Sequence, residues 1–226
     1  MIKIAHRGAS GYAPENTLTA FKKALEMGVD GIELDVHLSK DGHVVVLHDP
    51  FLLRTTKTFG WVSKKLLKEL QQLDAGKGEK IPTLQEVLNL VDKRVKVNIE
   101  LKAKGTARAV SEIIKIYVAT KKWKYDNFFV SSFDHKELLE FKKLIPQIKI
   151  GAIIIGINIQ FEKYKKELGA YSVSMWLPCV TKSVVQKAHK RGLKVFVYTV
   201  NDVKKMNKMK ELGVDGIIGN YPDRFK

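Results

Sequence analysis

The stretch GVDGIELDV at residues 28–36 reappears in shortened form near the other end of the chain, as GVDGIIG at 213–219. Each copy follows an amphipathic stretch, at 20–27 and at 203–212, whose pattern predicts a helix. A glycine directly after a helix is typical of a left-handed cap, because glycine adopts a positive φ without steric strain. The Asp-Gly pair then leads into an apolar run that predicts a strand. Both copies therefore indicate the junction between a helix and the next strand of a β/α repeat.

The same alternation of strand and helix extends over the whole chain. Strands are predicted at residues 1–5, 31–38, 95–101, 127–131, 148–154, 171–175, 194–200 and 215–218. Helices are predicted between most of them, at 17–27, 83–91, 106–121, 134–144, 182–190 and 203–212. Eight strands alternating with helices in 226 residues favour a single domain over 1–226, an α/β fold in which a parallel sheet closes into a (β/α)8 TIM barrel. An open doubly wound sheet is the alternative, although no G-x-G-x-x-G follows the first strand to support its dinucleotide-binding form.

A ninth strand-like run at 43–47 exceeds the count for an eight-stranded barrel. Asp41 and Gly42 directly before it form a strong two-residue hairpin signal, so we expect this run to fold back antiparallel on the second strand. With these two residues at the centre of the turn, Asp35 would lie opposite His48. The predicted fold is therefore a barrel with a small β-hairpin arm after strand 2.

The composition excludes several classes of protein. The only cysteine is Cys179, so an intrachain disulfide is impossible and the chain suits a reducing compartment. The first residues, MIKIAHRGAS, lack the apolar core of a secretory signal. The longest apolar run, at 150–157, is too short to cross a bilayer. We therefore expect a cytoplasmic protein without stable membrane insertion.

The charge balance is strongly positive, with 40 Lys and Arg residues against 24 Asp and Glu residues and a formal net charge of +16. Such a field attracts anions, which include nucleic acid, anionic membrane surfaces and phosphate-bearing metabolites. Most of the lysines are dispersed among acids in helical stretches, which is typical of a solvated surface. A nucleic-acid-binding protein is the disfavoured alternative, because neither a groove-entering helix nor a set of stacking aromatics is evident.

Polar side chains interrupt two predicted strands with the same period of two. In GIELDV, one face carries Glu33 and Asp35. In VNIELK, one face carries Asn98, Glu100 and Lys102. Strands buried on both faces are otherwise continuous apolar runs, and both polar sets lie towards the carboxyl end of a strand, where barrel enzymes hold their sites. Because three converging carboxylates repel one another, we predict that Glu33, Asp35 and Glu100 hold a divalent metal ion, Mg²⁺ or Ca²⁺; a structural ion-pair network is the alternative.

Two histidines end predicted strands. His6 closes the first strand and is followed by Arg7, and His48 closes the hairpin arm. Two imidazoles near one carboxylate cluster suit a general acid–base pair near neutral pH. Arg7 offers a planar bidentate donor for phosphate, and Lys102 adds a point charge. These residues together indicate a site that cleaves a phosphodiester. The remaining histidines are expected at surface or helix positions without convergent partners: His37, His43, His135 and His189.

The segment HRGASGYAPENTLTAF at 6–21 belongs to the same site. Its glycines permit a tight loop after the first strand, and Pro14 fixes the backbone before the helix. We expect Asn16 to be the N-cap of that helix. Two roles stay open for Glu15, which is either a partner of a histidine or a metal ligand.

The chain resembles a known family through seven motifs that occur in order. They are HRG…PENT (6–17), IELDV (32–36), DG…VVLHD (41–49), NIELK (98–102), SSFD (131–134), TVND (199–202) and GVDGI (213–217). Their order and spacing resemble the glycerophosphodiester phosphodiesterases, and the resemblance runs from residue 1 to about 223. It implies a (β/α)8 barrel that hydrolyses small-molecule glycerophosphodiesters to sn-glycerol 3-phosphate and an alcohol with a divalent metal ion.

The resemblance also implies roles for single residues. The family's acid–base histidines correspond to His6 and His48. Its metal carboxylates correspond to Glu33, Asp35 and Glu100, and its phosphate-contacting cations correspond to Arg7 and Lys102. The family usually has tryptophan before TVN, where this chain has Tyr198. Phe133, Trp176 and Tyr198 follow late strands, where they either line the pocket or pack in the core.

A lysophospholipase D-like lyase that forms a cyclic phosphate is the second enzymatic interpretation, and it uses the same histidines and metal. The connection at 51–81 has no clear strand character, and we expect it to be loop with a short helix at 63–72. The loops look largely polar, without an obvious apolar loop for membrane docking, which favours soluble substrates. The pattern does not decide which histidine is the acid, which head group is preferred or whether the chain forms oligomers.

Overall fold

Eight parallel strands close into a barrel in the computed structural model, which describes residues 1–156 and 159–225. In chain order the strands are β1 (Ile2–His6), β2 (Gly31–Leu38), β3 (Val44–Val46), β4 (Lys96–Leu101), β5 (Phe128–Ser132), β6 (Lys149–Ile154), β7 (Ser172–Trp176), β8 (Lys194–Tyr198) and β9 (Gly216–Gly219). Around the barrel the order is β1-β9-β8-β7-β6-β5-β4-β2, and β1 pairs with β2 to close the ring. The predicted TIM barrel is confirmed, and the open sheet is excluded.

Helices cover the outside of the barrel. They are α1 (Leu18–Glu26), α2 (Leu53–Thr56), α3 (Leu67–Leu70), α4 (Leu84–Val91), α5 (Thr106–Thr120), α6 (His135–Leu144), α7 (Phe161–Lys166), α8 (Lys182–His189) and α9 (Val203–Glu211). Among the described residues, every helix is too short or too polar to pass through a bilayer. The part of the apolar run 150–157 that the structure describes forms most of β6, and residue 157 lies outside the described residues.

The alternation of side chains along β2 shows how the barrel separates its core from its interior. Ile32, Leu34 and Val36 are fully buried in the main apolar cluster between the strands and the helices. Successive side chains of a strand point to opposite faces, so Glu33 and Asp35 point into the barrel. The period of two in the sequence therefore places the acids on the inner face.

The two copies of the repeated stretch build the same local structure. The glycine that opens each copy has a positive φ, 73° in the first and 77° in the second. The aspartate two residues later then accepts a hydrogen bond from the neighbouring strand: Asp30 Oδ2 from the Lys3 N–H and Asp215 Oδ2 from the Val195 N–H, each over 2.8 Å. Each carboxylate thus ties the start of one strand to the strand beside it.

The hairpin arm has a longer loop than the sequence predicts. The N–H of Gly42 donates to the Ser39 carbonyl over 3.0 Å, and the N–H of Ser39 donates to the His43 carbonyl over 2.9 Å. Gly42 has a φ of 83°, which suits the left-handed position of a three-residue hairpin loop. The Asp-Gly pair does mark the hairpin, but one more residue belongs to the loop.

This extra residue changes the pairing between β2 and β3. Val36 pairs with Val46, and the Asp35 carbonyl accepts a hydrogen bond from the Leu47 N–H over 3.0 Å. The predicted pairing of Asp35 with His48 is therefore wrong by one residue. His48 still lies at the site, because the chain leaves β3 directly before it.

A second, smaller apolar cluster anchors the connection between β3 and α4 to the hairpin arm. It consists of Val45, Leu47, Leu52, Val62, Leu70, Ala75 and Ile81. The predicted helix at 63–72 is only partly correct, since a 3₁₀ turn at Val62–Lys64 and the short α3 occupy this region. The buried cluster fixes the connection over the carboxyl end of the barrel.

Candidate active site

The carboxylates of β2 and β4 meet inside the barrel near the carboxyl ends of these strands. In the parallel register Glu33 lies beside Asn98, and Asp35 lies beside Glu100. Oxygen atoms of Glu33, Asp35 and Glu100 lie within 4.8 Å of one another, and all three side chains are buried. The structure thus brings together the three acids that the sequence predicts as metal ligands, and we call them the acidic triad.

Burial and mutual repulsion govern the ionisation of this acidic triad. Burial raises the pKa of Glu33 well above its ordinary value of 4.5, and the charges of Asp35 and Glu100 raise it further. Burial and the charge of Asp35 raise the pKa of Glu100 to about 7. Without a bound cation in addition to Arg7 and Lys102, the three carboxylates therefore do not all ionise fully near neutral pH.

Asp35 is the acid whose charge the surrounding residues stabilise. Burial disfavours its charged form, but Arg7, Lys102 and His48 hold the pKa of Asp35 below its ordinary value of 3.8. Arg7 Nε lies 3.2 Å from Asp35 Oδ2, and Lys102 Nζ lies 3.6 Å from Asp35 Oδ1. The side-chain amide of Asn16 donates to Asp35 Oδ2 over 2.9 Å.

Asn16 is therefore not the N-cap of α1, as the sequence predicts. The N-cap is Thr17, whose Oγ1 accepts a hydrogen bond from the Ala20 N–H over 3.2 Å. Asn16 has a φ of 59° and is buried, so its amide reaches Asp35 inside the barrel instead of the helix terminus. A polar residue directly before a helix is compatible with either role, and the backbone conformation decides between them.

The loop after β1 fixes Arg7 against the acidic triad. The backbone N–H of Arg7 donates to Glu33 Oε2 over 2.9 Å, and the Arg7 guanidinium donates to Glu15 Oε1 over 3.0 Å. Gly8 follows with a φ of 79°, and a Cβ there would lie 2.6 Å from the backbone of Ala20. The close approach of the loop to α1 therefore requires glycine at this position.

His6 ends β1 at the edge of the cavity. Its Nδ1 lies 2.8 Å from Oδ1 of Asn220, which follows β9. Because the amide oxygen can only accept, the proton of the neutral ring is on Nδ1 and Nε2 is left as an acceptor. Burial and the charge of Arg7 lower the pKa of His6 from 6.5 to about 4, so the ring is neutral near pH 7.

His48 is held at both ring nitrogens. Its Nδ1 lies 2.6 Å from Oδ1 of Asp49, and its Nε2 lies 3.2 Å from Lys102 Nζ. The backbone carbonyl of His48 accepts a hydrogen bond from His37 Nε2 over 3.0 Å. The predicted surface position of His37 is therefore wrong, since this ring is buried and supports His48. His189 also has a partner, Asp215, 2.8 Å away.

A network of charged side chains connects the loop that follows His6 with the segment that follows His48. Glu15 binds Arg7 on one side and Arg54 on the other, with Arg54 Nη2 2.6 Å from Glu15 Oε1. Arg54 also donates to the carboxylate of Asp49. The sequence leaves two roles open for Glu15, a partner of a histidine and a metal ligand. The structure supports neither role, because the Glu15 carboxylate binds Arg7 and Arg54.

A cavity at this end of the barrel is lined by most of the predicted site residues. Among them are His6, Arg7, Glu33, His48, Glu100, Lys102, Phe133, Trp176 and Tyr198. Phe133 and Trp176 remain partly exposed at its mouth. Tyr198 packs edge-on against Phe133, with ring centroids 6.3 Å apart, and its hydroxyl donates to the Ile154 carbonyl over 3.2 Å. Of the two alternatives for these aromatics, the structure therefore favours the pocket wall.

Sequence reasoning did not single out three polar residues that support the site. Asn220 and Asp49 hold the two histidine rings, and Arg54 holds Asp49 and Glu15. Asp49 has a signal in the sequence, since it directly follows a predicted site histidine. Asn220 follows the last strand, and only the closure of the barrel brings it to His6. No local pattern distinguishes Arg54 from the other surface cations.

The acidic triad fits a divalent cation. Five carboxylates of the site (Glu15, Glu33, Asp35, Asp49, Glu100) face three permanent cations (Arg7, Arg54, Lys102), which leaves a formal net charge of −2 when all are ionised. Within the described residues, the buried Oδ1 of Asp35 makes no hydrogen bond. Oxygen ligands in this arrangement suit a hard cation such as Mg²⁺ or Ca²⁺.

A family model described as the glycerophosphoryl diester phosphodiesterase family matches residues 6–224 of the chain. The chain belongs to this family. Its members are phosphodiesterases, so the predicted family and the predicted class of enzyme are both confirmed.

Individual relatives match along almost the entire chain. A glycerophosphodiester phosphodiesterase of Caldanaerobacter subterraneus subsp. tengcongensis is 41% identical over 229 residues, covering 97% of this chain and 94% of the relative. A phosphodiesterase of Oleispira antarctica, solved in complex with the product sn-glycerol-3-phosphate, superposes with a TM-score of 0.91 at 32% identity, covering 100% of this chain and 95% of that chain. A lysophospholipase D of Homo sapiens is 28% identical, with 99% of this chain and 84% of the relative covered.

Proposed function

We propose that this protein hydrolyses glycerophosphodiesters to sn-glycerol 3-phosphate and an alcohol. The observation that carries the proposal is the convergence of the acidic triad, two cations and two histidines at one cavity. Support also comes from the Oleispira antarctica relative, which binds sn-glycerol 3-phosphate as its product. A small soluble diester as substrate and a cytoplasmic location belong to the same proposal.

The proposed metal ligands are Glu33, Asp35 and Glu100, with Mg²⁺ or Ca²⁺ as the ion. A bound divalent cation supplies charge stabilisation for the phosphoryl oxygens. The protein prepares this site by burying the three carboxylates and by balancing only part of their charge. Lys102 Nζ lies 2.7 Å from Glu100 Oε1, and Arg7 is the other cation beside the triad.

Arg7 and Lys102 are the proposed phosphate-binding cations. Both line the cavity, and both are already oriented by carboxylates. A phosphodiester that enters the cavity would share these cations with Asp35 and Glu100. Oriented charges of this kind act on the phosphoryl oxygens without reorganising during the reaction.

His6 is the proposed general base. Its lowered pKa keeps the ring neutral, and the hydrogen bond to Asn220 leaves Nε2 able to accept a proton. The proton comes from the attacking oxygen, which belongs either to water or to the neighbouring glycerol hydroxyl. As the new P–O bond forms, the bond to the leaving alcohol breaks.

His48 is the proposed general acid. The leaving alkoxide takes a proton from the imidazolium form of this ring, and the Asp49 carboxylate stabilises that form. One proton is therefore taken up at His6 and one is released at His48 in each turnover. The neutral alcohol and the phosphate monoester, or the cyclic phosphate, leave the cavity.

A lysophospholipase D-like lyase is the second candidate. Two observations favour it: the similarity to a human lysophospholipase D and the exposed aromatic side chains at the mouth of the cavity. The two candidates use the same residues and differ in whether a cyclic phosphate is released as the final product. A stable cyclic phosphate as the product identifies the lyase, whereas sn-glycerol 3-phosphate identifies the hydrolase.

The proposal is tested by a coupled assay for sn-glycerol 3-phosphate over several glycerophosphodiesters, with chelator and with added Mg²⁺, Mn²⁺ or Ca²⁺. General acid–base catalysis contributes roughly 10²–10⁴ in rate, so we expect His6→Ala and His48→Ala each to lose about that factor. His43→Ala is the matched control, because this histidine lies half-exposed beside the hairpin loop. Near-full turnover in both site variants, or no effect of chelator on the unaltered protein, would refute the mechanism.

A further inference from the structure

Large apolar side chains are concentrated on the face of the molecule that holds the candidate active site. Ten of them are exposed among the described residues. Most of them lie on the carboxyl side of the barrel, in the connections that follow strands or at the ends of these connections, among them Tyr12, Leu53, Phe59, Trp61, Phe133, Ile155 and Trp176. A monomeric protein usually scatters such side chains singly, so their concentration on one face indicates an interaction surface.

Residues 51–65, FLLRTTKTFGWVSKK, form the centre of this surface, and we call them the aromatic loop. Phe59 is 76% exposed and Trp61 is 52% exposed. The loop also carries four cations and no acid. Three of the cations are exposed, and Lys57 and Lys64 are the two that do not belong to the ion pairs of Arg54 with Asp49 and Glu15. Aromatic and cationic side chains thus occur together without any negative charge from the loop itself.

The aromatic loop is an ordered part of the fold. Leu52 and Val62 are buried in the smaller apolar cluster and anchor the loop from beneath. The Phe51 ring packs edge-on against Trp61 and Phe59, with centroids 5.2 Å and 6.1 Å apart. The exposure of these rings is therefore a fixed feature of the surface.

The loop is also connected to the catalytic face. Arg54 binds Asp49 and Glu15, which in turn contact His48 and Arg7. The backbone N–H of Lys40 at the hairpin arm donates to the Lys65 carbonyl over 2.8 Å. Whatever binds the aromatic loop therefore lies beside the mouth of the cavity.

We propose that the aromatic loop docks this face on a membrane surface that contains anionic phospholipids. Trp and Phe favour the interface between lipid head groups and acyl chains, and each Lys near an anionic surface adds attraction. A second copy of the chain is a poor occupant, because two surfaces of a protein with a net charge of +16 repel each other. The inference goes beyond hydrolysis of a soluble diester, and it differs from the expectation from sequence, which found no obvious apolar loop for membrane docking.

Docking in this orientation turns the cavity towards the lipid. Phe133 and Trp176, which are 43% and 48% exposed, would then meet the head-group region together with the aromatic loop. A glycerophosphodiester with one acyl chain would reach the cavity directly from the membrane. Catalysis on a fully soluble diester does not need this contact.

Binding is measured by sedimentation of the full chain with vesicles of phosphatidylcholine, with and without 30 mol% phosphatidylglycerol. We expect strong binding only to the anionic vesicles, and weaker binding as salt is raised. The double variant Phe59→Ser/Trp61→Ser is expected to lose at least about tenfold in affinity, a loss that corresponds to only 1.4 kcal/mol. Lys57→Glu/Lys64→Glu is expected to lose a similar factor on the anionic vesicles.

Matched controls come from the side of the barrel. Ile116 is 57% exposed on α5, so Ile116→Ser removes an exposed apolar side chain away from this face. Lys115→Glu/Lys187→Glu makes the same charge change with exposed lysines of α5 and α8. Both controls are expected to retain the affinity of the unaltered protein.

Hydrolysis of soluble glycerophosphocholine is measured in parallel without vesicles. All loop variants are expected to keep the turnover and KM of the unaltered protein, so loss of docking and failure of the proposed function are distinguished. No sedimentation of the unaltered protein with anionic vesicles overturns the proposal. The proposal is also overturned if Phe59→Ser/Trp61→Ser keeps its vesicle affinity but has a raised KM. That result would mean that the aromatic loop forms part of the substrate site. Equal binding to duplex DNA, lost only in the lysine variant, assigns the loop to a polyanion instead.

Discussion

His48 Nδ1 lies 2.6 Å from Oδ1 of Asp49, a residue held in turn by Arg54. This pair fixes the ring in one tautomer, with its proton towards the carboxylate. Lys102 Nζ approaches the other nitrogen, Nε2, at 3.2 Å. The ring is therefore oriented from both sides before any substrate binds, which is the condition for efficient proton transfer.

Asp49→Asn is expected to lower kcat by about 100-fold, because a poorly oriented catalytic group loses about that factor. The carboxylate also favours the protonated ring, while burial lowers the pKa of His48. Removing the carboxylate lowers this pKa further, so the limb of the pH–rate profile that needs protonated His48 shifts to lower pH. The KM is expected to change little.

The measurement is the dependence of kcat and kcat/KM on pH for the variant and the unaltered protein. Asp126→Asn is the control, since Asp126 is an exposed aspartate in the 3₁₀ turn that precedes β5, at the opposite end of the barrel. A fall in kcat without any shift of the profile would assign Asp49 a purely structural role.

The second prediction concerns the acidic triad. Asp35→Asn removes one proposed ligand, so we expect much weaker binding of Mn²⁺ or Ca²⁺ in calorimetry. Addition of metal to the unaltered protein is expected to raise the Tm, because a bound cation relieves the repulsion among Glu33, Asp35 and Glu100. In the variant this rise in Tm is expected to shrink, and excess metal is expected to rescue part of the activity.

Ser63→Asn is the control variant, because it introduces an asparagine at an exposed position outside the acidic triad. We expect it to keep the metal affinity of the unaltered protein. Equal metal affinity in Asp35→Asn and the unaltered protein would contradict the assignment of this carboxylate. The Tm readout is independent of turnover, so a loss of activity from another cause does not affect the result.

The sequence predicts the barrel and its acids because both depend on local periodicity. The two-residue period of polar and apolar side chains in β2 and β4 decides which of them face the interior. The parallel register then places Asp35 beside Glu100. The residues at the carboxyl ends of different strands meet at one rim in any closed barrel. For this reason His6 and the acidic triad could be placed together from the pattern alone.

Features that depend on loop geometry are not accessible in the same way. The hairpin register shifts by one residue because Gly42 takes a left-handed conformation in a three-residue loop. Asn16 turns into the barrel for a similar reason, with a φ of 59°. The exposure of Phe59 and Trp61 depends on how the buried Leu52 and Val62 anchor the connection, and no periodic pattern encodes it.

The third prediction uses the hydrogen bond between His6 and Asn220. Asn220→Asp replaces a neutral acceptor by a carboxylate 2.8 Å from the ring, which favours the protonated form and raises the pKa of His6 from its value of about 4. The limb of the kcat/KM profile that needs neutral His6 is therefore expected to shift to higher pH. Activity at pH 5.5 relative to pH 8 is expected to fall.

The control variant is Asn207→Asp, which makes the same substitution on the exposed face of α9. Profiles are recorded between pH 4.5 and 9 for both variants. If the Asn220→Asp profile overlays that of the unaltered protein, His6 is not the group whose neutral form is required.

The last prediction concerns stability and lies away from the site. Burial of Asp215 opposes its ionisation, but hydrogen bonds from Lys194, Val195 and His189 outweigh that effect and hold the pKa of Asp215 below its ordinary value of 3.8. A carboxyl group with a lower pKa in the folded chain than in the unfolded chain stabilises the fold above its unfolded pKa. This contribution is lost as the pH falls through the folded pKa.

Asp215→Asn is therefore expected to lower the free energy of unfolding at pH 7 by about 1–3 kcal/mol, the range for hydrogen bonds to a charged group. Below pH 4 the difference from the unaltered protein is expected to shrink, because the carboxyl group of the unaltered protein then takes up a proton. Urea unfolding at pH 7, 5, 4 and 3 measures this difference, with the exposed Asp126→Asn as the control. A destabilisation that stays constant down to pH 3 would mean that Asp215 acts through packing and not through its charge.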